Sequence, residues 1–305
     1  VNKSLRCPVC DKPDWCLIST DGKVAICARV ESKEPAGNKG AGWLHKIDTI
    51  KPLTPLKHIQ NQTRKAAPHI LDIAYRALLT ELQLSPKHRE ELNHRGLTDE
   101  EISKLGYKTL SACGRSEIAT QLNHQEIALA GVPGFYYEAG QWQLAGPAGI
   151  AMPVKDTRIR IIGIQVRCDV AENGKYKWLS SRNYNAGCSP CAPIHVAGQI
   201  SINSELWITE GPLKADIASL KLNRLVLAVP GVGNWPGVIP IIRELRPERV
   251  IIAFDMDKVN NHAVKLHRNA LVKCLISRGV RTFEADWDIN YKGLDYLLIQ
   301  GAVNA

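Results

Sequence analysis

The feature that most restricts the fold is a change of rhythm after residue 204. The runs ELWIT (205–209), RLVLAV (224–229), RVIIAF (249–254) and VRTFEA (280–285) read as buried strands, and 212–222, 238–245, 262–278 and 293–300 carry helical patterns. A strand that is apolar throughout must be covered on both faces. A helix between successive strands returns the chain to the same end of the sheet, so neighbours run parallel. The expected fold class is α/β, with a parallel sheet and helices on both its faces over residues 204–305.

In such a sheet, ligands collect in the crevice outside the carboxyl ends of the strands. Glu210 ends the first strand, ahead of Gly211 and a helix starting near Pro212, and the third strand ends in Asp255-x-Asp257. Alternation along an extended chain puts Asp255 and Asp257 on one side. Three carboxylates at one sheet edge repel one another unless a divalent cation lies between them, and oxygen-only ligands select magnesium or manganese over zinc. Such an ion polarises a phosphate and activates an attacking oxygen. Glu210, Asp255 and Asp257 are therefore the candidate catalytic and magnesium-binding residues for phosphoryl or nucleotidyl transfer.

The amino-terminal segment CPVCDKPDWCLISTDGKVAIC follows different chemistry. Cys7-x-x-Cys10 on a tight knuckle lets two thiolates reach one zinc ion. The residues after it read as a hairpin turning at Asp21-Gly22. Counting outward from that turn, Ile18 faces Ala25, Leu17 faces Ile26 and Cys16 faces Cys27. Cys7, Cys10, Cys16 and Cys27 would close a tetrahedral, structural zinc site, with His45 as the alternative fourth ligand in place of Cys16. A second pair, Cys188-x-x-Cys191 with His195 beyond it, has no convincing fourth ligand and reads as two ordinary cysteines in a loop.

Between these ends, residues 49–68 are polar and proline-containing and read as a linker. Helical patterning follows from Ile70 to Lys108, with Ser85-Pro86 as one helix start and Thr98-x-x-Glu101 as a capping box at another. GIAMPV (149–154), RIRIIGIQVRCD (158–169) and KYKWLSS (175–181) are strand-like, the last two joined by a turn at Asn173-Gly174. The length, 305 residues, leaves room for two or three domains. The net charge of +9 favours a polyanionic partner, because each basic side chain placed on a phosphate releases a counterion. No apolar run approaches the ~18 to 20 residues that span a bilayer, and no signal-peptide stretch is seen. Nine cysteines, an odd number partly in C-x-x-C spacing, suit metal ligands in a reducing cytosol better than a disulfide framework. The expectation is a cytoplasmic protein without a membrane partner.

The Glu-Gly after the first strand and the Asp-x-Asp after the third resemble the TOPRIM fold of primases, topoisomerases and some nucleases. MPVKDTRIRIIGIQVR, with its G-x-x-x-R strand, and KYKWLSS resemble the basic segment of DnaG-type primases, and ADWDINYKGLDYLL resembles the acidic stretch after their sheet. The whole order is similar to that family, above all to primases of phages and mobile elements: zinc ribbon (1–48), linker (49–68), basic mixed α+β subdomain (69–203) and TOPRIM domain (204–305). The resemblance implies a DNA primase that makes short primers on single-stranded DNA from NTPs. It would use one structural zinc and catalytic magnesium or manganese, beside a replicative helicase and associated with the nucleoid. It implies that Arg167, Lys177 and Lys214 contact template or nucleotide phosphates, and that Asp288 and Asp295 are further magnesium ligands. Two positions depart from the family. Lys214 stands where bacterial primases carry an aspartate, and Val30 stands where their ribbon carries a cysteine. No G-x-x-x-x-G-K-[ST] motif occurs, so these residues contain no P-loop helicase. A TOPRIM nuclease and a non-catalytic nucleic-acid-binding replication factor are the alternatives.

Overall fold

The structure, a computed structural model, describes residues 1–2, 5–36, 42–47, 63–171, 174–200, 205–255, 262–288, 290–291 and 293–300. The chain forms two compact units, Val1–His58 and Ile59–Ala305.

The first unit is an antiparallel sheet of β1 (Leu17–Ile18), β2 (Val24–Cys27), β3 (Pro35–Ala36) and β4 (Gly42–Lys46), in the order β1-β2-β4-β3. The hairpin register is the expected one: Leu17 faces Ile26 and Ile18 faces Ala25. Gly42 has φ +143°, and a Cβ there would lie 2.6 Å from the Cys27 carbonyl oxygen. Among the described residues the unit's buried side chains are Cys7, Cys16 and Cys27 with two alanines, Ala25 and Ala36. So small an apolar centre cannot hold a unit of this length without a metal or disulfides.

The second unit opens with residues 63–67 laid along its own surface: the Thr63 amide donates to the Gly187 carbonyl at 3.0 Å and the Ala66 amide to that of Gly131 at 2.8 Å. Helices α1 (Pro68–Glu81), α2 (Pro86–Asn93) and α3 (Asp99–Leu105) follow. Ser85 caps α2 by accepting from the His88 amide. Thr98 and Glu101 cap α3 reciprocally, and Gly106 closes it at φ 78°. Strand β5 (Lys108–Leu110), helix α4 (Arg115–His124) and the hairpin β6 (Phe135–Glu138) and β7 (Gln141–Leu144) lead to β8 (Gly149–Lys155), β9 (Ile161–Cys168) and β10 (Tyr176–Trp178). Strands β10-β9-β8-β5 form one antiparallel sheet. The Asn173 half of the expected β9–β10 turn lies outside the described residues.

The remaining chain builds β11 (His195–Ala197), β12 (Glu205–Glu210), α5 (Pro212–Leu222), β13 (Leu225–Val229), a 3-10 turn (Val232–Gly237), α6 (Val238–Leu245), β14 (Arg249–Ile252), α7 (His262–Ile276), β15 (Thr282–Glu284) and α8 (Leu294–Gln300). The sheet order is β11-β13-β12-β14-β15. Four strands run parallel as expected, but the edge strand β11 is antiparallel to β13, so the sheet is mixed. Both faces are covered. Leu206, Ile208, Leu225 and Leu227 pack with residues of α6 and α7, while Trp207, Val226 and Ala228 pack with α5 and α8. That alternation is the period-two pattern of a two-sided strand. A further cluster joins Leu92, Ile102 and Tyr107 to Ile150 and Met152 of β8 and to Leu213 and Ile217 of α5. This packing sets the helical pair and the β8–β9 face beside the start of α5. Among the described residues no helix is long and apolar enough to cross a membrane.

Candidate metal centre and acidic cleft

In the first unit, Cys7, Cys10, Cys16 and Cys27 bring their four sulfurs within 4.8 Å of one another. Cys10 and Cys16 Sγ lie 3.7 Å apart, and Cys16 and Cys27 Sγ 3.9 Å apart. Four convergent thiols, three of them buried, fit one tetrahedral structural zinc. Donors reach two of the sulfurs, the Val30 amide to Cys27 Sγ at 3.3 Å and the Arg29 guanidinium to Cys16 Sγ at 3.8 Å while pairing with Asp14 at 2.6 Å, but burial still pushes the metal-free Cys16 thiol up to about 12. Burial raises the Cys10 thiol, but hydrogen bonds from the Lys12 backbone and the neighbouring thiols outweigh it and bring the pKa to about 7. His45, the alternative ligand, sits opposite Ala25 with Nε2 3.0 Å from the Val30 carbonyl, and is no member of the cluster.

In the second unit, Glu210 stands at the carboxyl end of β12 beside a small cleft. Gly211 follows with φ 76° and ψ 139°, a conformation that glycine alone adopts readily, so the chain turns at once into α5. Lys214 projects from the first turn of α5, and its ammonium is in direct contact with Asp255 Oδ2. Asp255 follows β14, where the Ala253 amide still donates to the Ile208 carbonyl at 2.8 Å and fixes the approach. Asp255 is buried, and its Oδ1 has no hydrogen-bond partner among the described residues. Asp295, on α8, is buried and accepts from Arg95 Nη1 at 3.3 Å. A Cβ on Gly293 would lie 2.7 Å from Asp295 Oδ1, 3.0 Å from Asp255 Oδ1 and 3.5 Å from Lys214 Cε, so these three side chains wall one point. Burial alone would lower the pKa of the Lys214 ammonium, but Asp255, Asp295 and Glu210 more than reverse that and hold it above its ordinary value.

The cleft, about 180 Å³, is lined by Gln165, Tyr176, Glu210, Gly211, Lys214 and Gly231 among others. It therefore lies where the β9–β10 face meets the carboxyl edge of the mixed sheet. Arg167 belongs to that face: Ile150, packed against α5, is its partner on β8, and Tyr176 its partner on β10. Its guanidinium is paired directly with Glu91 of α2. His88, one turn earlier, bonds Asp169 at 2.8 Å and holds α2 against the end of β9.

Glu210, Lys214, Asp255 and Asp295 are thus brought together. Lys177 is not with them: it pairs with Val166, whose side chain is buried in the core formed with α1 and α4, so it takes the sheet face opposite to Arg167. Asp288 is exposed and accepts from the Asn290 amide at 2.9 Å. Asp257 lies outside the described residues. Of the second cysteine pair, Cys188 is buried and Cys191 exposed, and His195 is engaged with Asp216 at 3.0 Å. Arg95 carries no sequence signal, and Gln165 and Tyr176 lie in segments that the resemblance marks without singling them out, because their place beside the acids depends on contacts between distant segments.

Among the described residues only the four cysteines bring three or more such donors within 4.8 Å, so Glu210, Asp255 and Asp295 do not form a closed cage. Magnesium does not require one, since it keeps several waters and takes one or two carboxylates. The unpartnered Asp255 oxygen and the facing Asp295 oxygen fit a hydrated ion of that kind.

No protein-family model matches the sequence, and no curated protein is similar to it. Solved structures are. The zinc-binding and RNA polymerase domains of the Aquifex aeolicus primase superpose with a TM-score of 0.61 at 14% identity, over 79% of this chain and 60% of that one. The RNA polymerase domain of Mycobacterium tuberculosis primase DnaG gives 0.58 at 14% identity, over 78% and 82%. The DnaG primase catalytic domain bound to single-stranded DNA gives 0.54 at 16%, over 73% of each. The chain spans about three-fifths of the Aquifex protein's resolved length, and at these identities the likeness is one of fold. The chain has the mixed α/β fold of DnaG-type primase catalytic domains, together with a four-cysteine site suited to zinc.

Proposed function

We propose that this chain is a DNA primase whose catalytic domain is of TOPRIM type, making short primers on single-stranded DNA by metal-dependent nucleotidyl transfer. The observation that carries the reading is the convergence of Glu210, Lys214, Asp255 and Asp295 at the carboxyl edge of a sheet in a DnaG-like fold. A neighbour of this fold is described as bound to single-stranded DNA, and the +9 charge suits the same ligand.

Asp255, with Glu210 and Asp295 near it and Asp257 as a further ligand expected from the sequence, would hold magnesium or manganese, which when bound polarises a phosphate and activates an attacking hydroxyl. The protein's own contribution is placement. Gly211 keeps the floor of the cleft free of a side chain, so a phosphate can approach the backbone where α5 begins. Lys214 supplies positive charge at that floor, Arg167 would add charge from the neighbouring β9–β10 face if released from Glu91, and Tyr176 offers an exposed ring at the rim on which a base can stack. The zinc unit is read as a template contact, and a replicative helicase as a working partner, in the setting of a phage or mobile element.

The test is incubation of the zinc-loaded chain with single-stranded DNA, labelled NTPs and manganese. Labelled oligomers that depend on both template and metal are expected. Cleavage of the DNA without synthesis would replace the reading with a TOPRIM nuclease, and binding alone would replace it with a non-catalytic replication factor.

A further inference from the structure

Lys214 is an unusual residue for its position. It lies in the first turn of α5, where the helix dipole already presents positive charge and a cation is disfavoured. What holds it there is the acidic group around it: direct contact with Asp255 Oδ2, with Asp295 and Glu210 close enough to act on its charge. The Lys214 stem and the facing oxygens of Asp255 and Asp295 close around the same point beside Gly293. An ammonium and a divalent ion cannot both lie against one carboxylate without strong mutual repulsion.

We infer that Lys214 is a resident cation of the acidic cleft, and that a divalent ion at the open Asp255 Oδ1 competes with the ammonium on Oδ2, binding tightly only as that ammonium moves away. This deepens the proposed function and rests on it, because it assumes that Asp255 binds metal. The apo site is then held together without metal, and metal binding is weaker than the same carboxylates would otherwise give. Once displaced, the ammonium stays at the cleft, since Lys214 lines it. It thereby exchanges a carboxylate partner for space where a phosphate can lie.

The experiment is direct titration of Mn2+ into zinc-loaded full chain, followed by the loss of the free-ion EPR signal, with Lys214→Met, Lys214→Gln and Asp255→Asn beside the wild type. Two neutral replacements are used so that a folding failure in one does not decide the matter, and circular dichroism checks each. Both should bind Mn2+ more tightly than the wild type, by about tenfold or more, the scale of one close charge–charge term in a part-buried site. Asp255→Asn should lose the site. Equal Mn2+ affinity in the wild type and both Lys214 variants, with loss in Asp255→Asn, would overturn the role of Lys214 and leave the metal site standing. Absence of Mn2+ binding in every protein, wild type included, would overturn the metal reading itself and the inference with it.

Discussion

The Tyr107 hydroxyl donates to Asp216 Oδ2 at 2.5 Å, joining the end of the helical segment to the middle of α5. The other carboxylate oxygen, Oδ1, lies 3.0 Å from His195 Nε2, and His195 Nδ1 accepts from the Lys155 amide at 3.0 Å. Because Nδ1 is the acceptor, the ring proton sits on Nε2 and is donated to Asp216. One buried carboxylate therefore links α5, β8, β11 and the residue before β5, and α5 also lines the cleft. Burial pushes the Tyr107 phenol well above its ordinary pKa, so it remains a donor.

Tyr107→Phe keeps the ring but leaves Asp216 Oδ2 buried without its donor. It should lower stability by about 1–3 kcal/mol in urea unfolding followed by tryptophan fluorescence. His195→Ala should cost more, since it strips partners from both Asp216 and the Lys155 amide. An unchanged midpoint in both would remove the network from the account.

Arg167→Ala should lower both ligand affinity and stability, because its partner Glu91 is left uncompensated when the guanidinium goes. A stability loss of about 1–2 kcal/mol suits a part-buried pair. Removing Glu91 as well should return part of the stability and none of the affinity. The same change should flatten the salt dependence of single-stranded DNA binding by roughly 0.7 per lost phosphate contact. Fluorescence anisotropy at several salt concentrations, with thermal melts of the two variants, separates the effects.

Glu205, at the opposite end of β12, gives a pH test. Burial would raise its pKa, but hydrogen bonds from Trp207 and Arg249 and the charges of Arg249 and Arg224 outweigh that and lower it below the usual 4.5. A carboxyl depressed by folding stabilises the native state above its unfolded pKa and loses that contribution as pH falls through the folded one. Glu205→Gln should therefore be less stable than wild type at neutral pH, with the gap narrowing below pH 4.5. A gap that stays constant from pH 7 to pH 3 would contradict the assignment.

The chain should carry one zinc per molecule, and Cys7→Ser or Cys27→Ser should release it. Chelation should abolish amide protection across β1, β2 and β4 while the second unit keeps its own, because the described residues of the first unit have almost no apolar core apart from the thiols. Hydrogen exchange read by mass spectrometry resolves the two units. Zinc-free protein with full protection in residues 16–27 would contradict a structural ion.

Much of this architecture is legible in local pattern. The two-residue turn at Asp21-Gly22 fixes the register of the first hairpin, and the uniformly apolar strands 205–209 and 224–229 announce a sheet covered on both faces. Strand β11 was not legible, since three residues after a cysteine- and proline-containing loop carry no periodicity, and its antiparallel direction is set by pairing with β13. Arg167 and Lys177 look alike in sequence, two basic residues in neighbouring strands. Their separation onto opposite faces follows from the register that pairs Tyr176 with Arg167. Arg95 and Asp295 meet across 200 positions, and the Lys214 contact with Asp255 spans 41, distances over which side-chain spacing holds no information.

The central claim is that the carboxylates at the end of the mixed sheet perform nucleotidyl transfer. Primer synthesis on single-stranded DNA, compared between wild type and Asp255→Asn or Glu210→Gln at matched zinc content and folding, tests it most directly. Wild type should extend labelled oligomers only with magnesium or manganese, each variant should fall by orders of magnitude, and the double variant should be little worse than either single one. Full synthesis by Asp255→Asn, or synthesis by the wild type that ignores divalent cations, would contradict it.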